Sequence, residues 1–182
     1  MIHNIKINTG ICIMKHKYAW QQVVLHWLSA VIIIWATFSG FYVAMFDVSA
    51  GIKDWVGFFN VSLTAVFIPF FALRVWYLLR LGKPTHEQPL TLANRAADIA
   101  HLLLYINIAV VLISGVLMME RDINIFNLLT IPQPINNLAV TQQFNIIHII
   151  SCISLAGLVL LHVLAVIKHE VCGNRILRKM WL

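Results

Sequence analysis

Residues 144–168 read FNIIHIISCISLAGLVLLHVLAVIK, an apolar run interrupted by two histidines, His148 and His162. Fourteen positions separate them. At ~1.5 Å of rise and ~100° per residue, that spacing advances ~21 Å and stops ~40° short of four full turns. On a helix both imidazoles lie near one stripe, separated by most of the depth of a bilayer core. Ionisable groups at such depth are costly and usually mark a site. Two imidazoles at two depths on one stripe point to two stacked cofactors, or to one cofactor and the remnant of a second site.

The rest of the chain fits a membrane setting. Hydrophobic residues make up 60% of the 182 and charged residues 11%, with a mean hydropathy of +0.84. A soluble domain of this length needs more polar surface. Four apolar stretches, Val23–Phe46, Val56–Leu79, Ala96–Met118 and Ile146–Ile167, are long enough to cross ~30 Å. Backbone groups in lipid must be satisfied within each span, which favours helices. The expectation is an all-α, four-helix membrane bundle with no sizeable soluble domain, repeat or long linker.

Charge sets the orientation. Lys6, Lys15 and Lys17 precede the first span, Arg74, Arg80, Lys83 and Arg95 lie at or between the ends of the second and third, and Lys168, Arg175, Arg178 and Lys179 follow the fourth. The other two connections carry Lys53 and Arg121 beside Asp47, Asp54, Glu120 and Asp122. The positive-inside rule puts both termini and the middle loop in the cytoplasm, so the expected location is the cell inner membrane, spanned several times. The formal charge of +6 then reads as topology and contact with anionic lipid, not as nucleic-acid binding.

Residues 1–13 have no apolar core of signal-peptide length, and Met14 begins a run that looks like a start of its own. The expected organisation is a disordered tail or mis-called start over residues 1–14 and one membrane domain over 15–182. Cys12, Cys152 and Cys172 have no metal-type spacing and read as packing residues.

The topology assigns depths. His26 lies just inside the first span near the cytoplasmic face, and His162 lies near the cytoplasmic end of the fourth, which runs inward. Two imidazoles at one depth on different helices form an axial pair for a macrocycle iron. His148 sits near the outer end of the fourth helix. Its partner would come from the start of the second helix, where no histidine occurs and Asn60 is the polar residue at the right depth. The outer site is thus five-coordinate through His148, or filled by aromatic side chains near Phe58, Phe59 and Phe144, or served by a substitute ligand such as Met45. His101 enters the third helix at the depth of the inner pair. Arg74 either meets a cofactor acid group or snorkels to headgroups. Pro69 should kink the second helix or free a carbonyl. Trp20, Trp27, Trp55, Trp76 and Trp181 read as interfacial belt residues.

The runs LHWLSA around His26, LRVWYLLRLGKPTHEQP from Leu73, IAHLLLYINIAVVLISGVLMM around His101 and IIHIISCISLAGLVLLH from Ile146 resemble the bacterial cytochrome b561 family. That family is similar to the cytochrome b subunits of nickel hydrogenases and formate dehydrogenases. The resemblance extends from about Lys15 to the C-terminus. It implies two haem b groups, the inner held by His26 and His162. The outer would use His148 with a second-helix histidine, and alignment on Arg74 puts Asn60 at that position. It also implies that His101 is not one of the four ligands; the residue itself reads as a partner to a propionate or a quinone, as packing, or as a ligand.

Three functions follow from the resemblance and the residues. One is a membrane cytochrome carrying electrons to or from the quinone pool, a quinone-linked oxidoreductase with ubiquinone as substrate. Some members of that kind take electrons from superoxide, an anion that the sparse outer cations here would steer poorly. Another is a cytochrome b anchor docked on a redox partner protein. The last is a degenerate, non-redox haem-binding protein.

Overall fold

The computed structural model describes residues 18–82, 92–173 and 176–180. The tail at 1–14, the lysines at 6, 15, 17 and 83, and Arg175 and Trp181 lie outside those residues. Four long helices form the body: α1 (Trp20–Met45), α2 (Ala50–Leu81), α3 (Leu92–Leu117) and α4 (Leu138–Val171). Each contains a stretch apolar and long enough to cross a membrane. The chain is therefore a multi-pass membrane protein built as a helical bundle.

The surface is inverted relative to a water-soluble fold. Phe38 is 74% exposed and Leu161 66%, whereas Ser62 is 0% and Ser114 2% exposed. Lipid solvates the outward leucines, isoleucines and phenylalanines, so association rests on small residues and polar contacts between helices. Ser29 and Ser114 turn their hydroxyls onto Leu25 and Val110 carbonyls of their own helices, both at 2.6 Å. An apolar cluster of Ile32, Phe67, Phe71, Ile108, Leu112 and Leu155 joins all four helices at mid-depth.

The helices pair as α1 with α2 and α3 with α4, and contact between the pairs is sparser. Within each pair the helices run antiparallel: Gln22 meets Tyr77 while Trp35 meets Asn60, and His101 meets His162 while Ser114 meets His148. Trp27 Nε1 donates to the Met180 carbonyl at 3.1 Å, in a short 3₁₀ helix (Ile176–Met180), which brings the two described ends to one end of the bundle. We refer to it as the terminal end. Gln22 fastens α1 to α2 there, donating to the carbonyls of Tyr77 and Gly82. Helix α2 runs unbroken through Pro69. The missing N–H leaves the Ala65 carbonyl without its helical donor.

The connection before α4 is not all loop. β1 (Ile123–Ile125) and β2 (Leu129–Ile131) pair antiparallel, with Ile123 opposite Ile131. This hairpin departs from the all-helical expectation. Its turn has positive φ at both central residues, Phe126 (49°) and Asn127 (58°). A phenylalanine in that region is strained by about 1–2 kcal/mol. Its ring rests on Phe58 and Phe59 and its N–H donates to Ser62 Oγ at 3.1 Å, which holds it. Helix α4 starts eight residues before the expected span because Asn137 caps it, its side chain accepting from the Ala139 and Val140 N–H groups.

Candidate functional site

At the terminal end, side chains from all four helices converge. His26 on α1 faces His162 on α4, ring centres 6.4 Å apart and planes inclined by 64°. His101 on α3 lies on His162 too, at 5.4 Å. Arg74 reaches in from α2: its Nη2 is 2.9 Å from His26 Nδ1, and its Nε donates to the Tyr105 hydroxyl at 3.1 Å. The guanidinium also lies over the Tyr105 ring, 4.9 Å from its centre. Arg74 therefore points into the bundle, where the sequence left it between a cofactor acid group and the headgroups. Arg80, nearer the helix end, stacks instead on Trp76 at 5.7 Å.

The site includes two tyrosines that sequence reasoning missed. Tyr105 positions Arg74. Tyr18, just before α1, sits within electrostatic reach of Tyr105, Asp98 and Arg74. Burial first, then the neighbouring Tyr105 and Asp98, hold its phenol above the usual range, with Arg74 pulling the other way. Tyr105, four residues beyond His101, and Tyr18, eight before His26, belong to no motif. Only the fold brings them in.

The distances discriminate among imidazole pairs. Two imidazoles bound axially on one metal each contribute a metal–nitrogen bond of about 2.0–2.1 Å and roughly 1.1–1.2 Å from nitrogen to ring centre, so their centres lie roughly 6.2–6.6 Å apart. His26 and His162 meet that spacing. His101 and His162 are closer than it. Among the described residues no cluster of three or more histidine, cysteine or acidic side chains suits a bare metal ion.

The other half of α4 is arranged differently. His148 turns towards α3, with Nδ1 3.1 Å from the Val111 carbonyl and 3.2 Å from Ser114 Oγ. Its ring occupies the place above Gly115, where a Cβ would come within 3.1 Å of Cε1. Its Nε2 is 3.5 Å from Cys152 Sγ, one turn along the same helix. Asn60 does not meet His148. Its amide turns to α1, donating to Ser39 Oγ at 2.9 Å and accepting from Ser39 and from Trp35 Nε1 at 3.0 and 3.1 Å. Phe59 packs against Trp55, Trp35 and Phe126, on the α1 and hairpin side. Met45, at the end of α1, is 74% exposed.

Residues 17–182 match the family described as prokaryotic cytochrome b561. The chain belongs to that family. It is thus a membrane b-type cytochrome of electron transfer, and the group its fold accommodates is haem b. No curated protein matches the chain. The terminal-end imidazole pair fits a haem iron, and when bound the haem supplies a one-electron redox centre.

The exposed end near the hairpin is poor in free positive charge. Lys53 lies 3.9 Å from Asp47. Arg121 shares a cleft of about 380 Å³ with Asp54 and Asp122.

Proposed function

We propose that this cytochrome b561-family chain carries electrons to or from the quinone pool through a haem b whose iron is held by His26 and His162. The observation that carries the reading is their 6.4 Å ring separation across α1 and α4. In this reading Arg74 sets a positive charge beside His26, and Tyr105 holds Arg74 in place. His101, Tyr18 and Tyr105 give the same end polar groups for a haem propionate or a quinone oxygen. The location that goes with this role is the cell inner membrane, where lipid and quinone are the immediate partners. Attachment is non-covalent, since the sequence has no Cys-x-x-Cys-His run.

The reading is tested on full-length protein purified in detergent from haem-replete cells. Expected are a b-type, low-spin haem spectrum and reoxidation of the dithionite-reduced haem by a short-chain ubiquinone. Haem content near zero would overturn the cytochrome reading. A haem inert to quinone would instead favour service as an anchor to a redox partner protein.

A further inference from the structure

We infer that this chain holds a single haem, and that its hairpin-end half is a pair of polar helix clamps standing where a second haem site would be. The inference rests on the proposed function for the first haem and concerns a separate set of residues.

A second axial pair needs a donor facing His148 from α2. Between them lies a cavity of about 50 Å³, room for a few waters. From α2 it is lined by Val61, Thr64, Ala65 and Ile68. None of these ligates haem iron. Thr64 directs its hydroxyl to the Asn60 carbonyl at 2.7 Å, back along its own helix. Met119 also lines the cavity, and a thioether is a known type of haem ligand. It lies two residues beyond the end of α3, the helix that His148 already contacts, so it does not supply a donor from the opposite pair.

Asn60 and His148 are each engaged within their own helix pair. Asn60 makes three contacts with Ser39 and Trp35, joining α2 to α1. His148 joins α4 to α3 through Val111 and Ser114, its ring seated on Gly115. An Nδ1–H to a backbone carbonyl is also how metal-binding imidazoles are oriented. What separates His148 from His162 is therefore the facing group: an imidazole for one, aliphatic side chains and a threonine for the other. Ser62 completes the closure, accepting from the Phe126 N–H and donating to the Asn124 carbonyl, so that the hairpin covers this end of α2.

One redox centre has a functional consequence. Along α4, His148 lies ~21 Å from His162. Without a centre at that depth, the chain is no wire across the bilayer. Electron donor and electron acceptor both exchange with one haem, at the terminal end.

The test is the number of haems per chain, by pyridine haemochrome against amino-acid analysis, in full-length wild type and in His148→Gln and His148→Phe. Gln keeps an amide for Val111 and Ser114 if Phe fails to fold. Expected is one haem per chain in wild type and in the folded variant, with superimposable low-spin spectra. Two haems per chain, low-spin or high-spin, would overturn the inference, as would loss of haem in His148→Gln. Failure of the proposed function looks different: no haem in wild type, or a haem unaffected by loss of His26 or His162.

Discussion

Arg74 Nη2 lies 2.9 Å from His26 Nδ1, and a guanidinium has only donors to offer. His26 Nδ1 is therefore the acceptor, which puts the ring proton on Nε2; a ring that binds iron through Nε2 carries its proton on Nδ1, and Arg74 would then turn from that nitrogen. A metal-binding imidazole ordinarily donates from that nitrogen to a carbonyl or carboxylate, which makes the ligand more basic. The guanidinium charge still stands close to the site, and a cation near the iron favours the reduced, less positive state. Arg74→Gln is expected to lower the haem midpoint potential by an amount on the order of tens of millivolts, the equivalent of about 1 kcal/mol for a one-electron couple. Arg74→Lys should retain part of the shift. Redox titration of the low-spin band reads both. An unchanged potential would place Arg74 away from the iron's ligand.

The three terminal-end imidazoles are distinguishable by substitution. His26→Ala or His162→Ala is expected to remove the low-spin signal, since each opens one axial position. His101→Ala should keep it, because His101 lies too close to His162 for one metal to sit axially between them. Its effect should appear in the rate of quinone reduction. Electron paramagnetic resonance of the oxidised proteins separates the cases. A low-spin signal lost in His101→Ala and kept in His26→Ala would reassign the pair.

Much of this arrangement is legible in the sequence because length and hydropathy determine it. Four apolar runs give four spans, and alternating orientation brings His26 level with His162. The hairpin escapes notice because its turn is Phe126-Asn127 rather than a glycine-bearing pair, and aromatic contacts to α2 offset the strain. The direction of Arg74 is open in the sequence because a guanidinium seven residues before a helix end reaches either headgroups or the interior, and Tyr105 on another helix decides it. The position of Asn60 along α2 follows from the sequence, but position alone does not say which neighbour its amide faces. That choice belongs to Ser39 and Trp35.

Asn60→Ala tests the α1–α2 clamp. Interhelical hydrogen bonds in membranes average about 0.6 kcal/mol each and reach about 1.7. Loss of the three contacts should cost about 1–2 kcal/mol and lower the detergent unfolding midpoint, while the low-spin spectrum is unchanged. A change in haem number or spin state with intact stability would tie Asn60 to a cofactor instead.

Asn107 on α3 has a buried Nδ2 with no hydrogen-bond partner among the described residues. It lies between His101, at one end of its helix, and Val111 and Ser114, which meet His148. A buried donor left unpaired costs about 1–3 kcal/mol. Asn107→Leu removes the donor, keeps similar volume and adds apolar contact in a bundle interior, so it should raise the thermal unfolding midpoint without altering haem content. Differential scanning fluorimetry in detergent, with the haem spectrum taken on the same sample, reads both. A lower midpoint would mean that the amide serves a partner, a buried water or the bound haem, and the spectrum would say which, because only the haem-linked case changes the low-spin band.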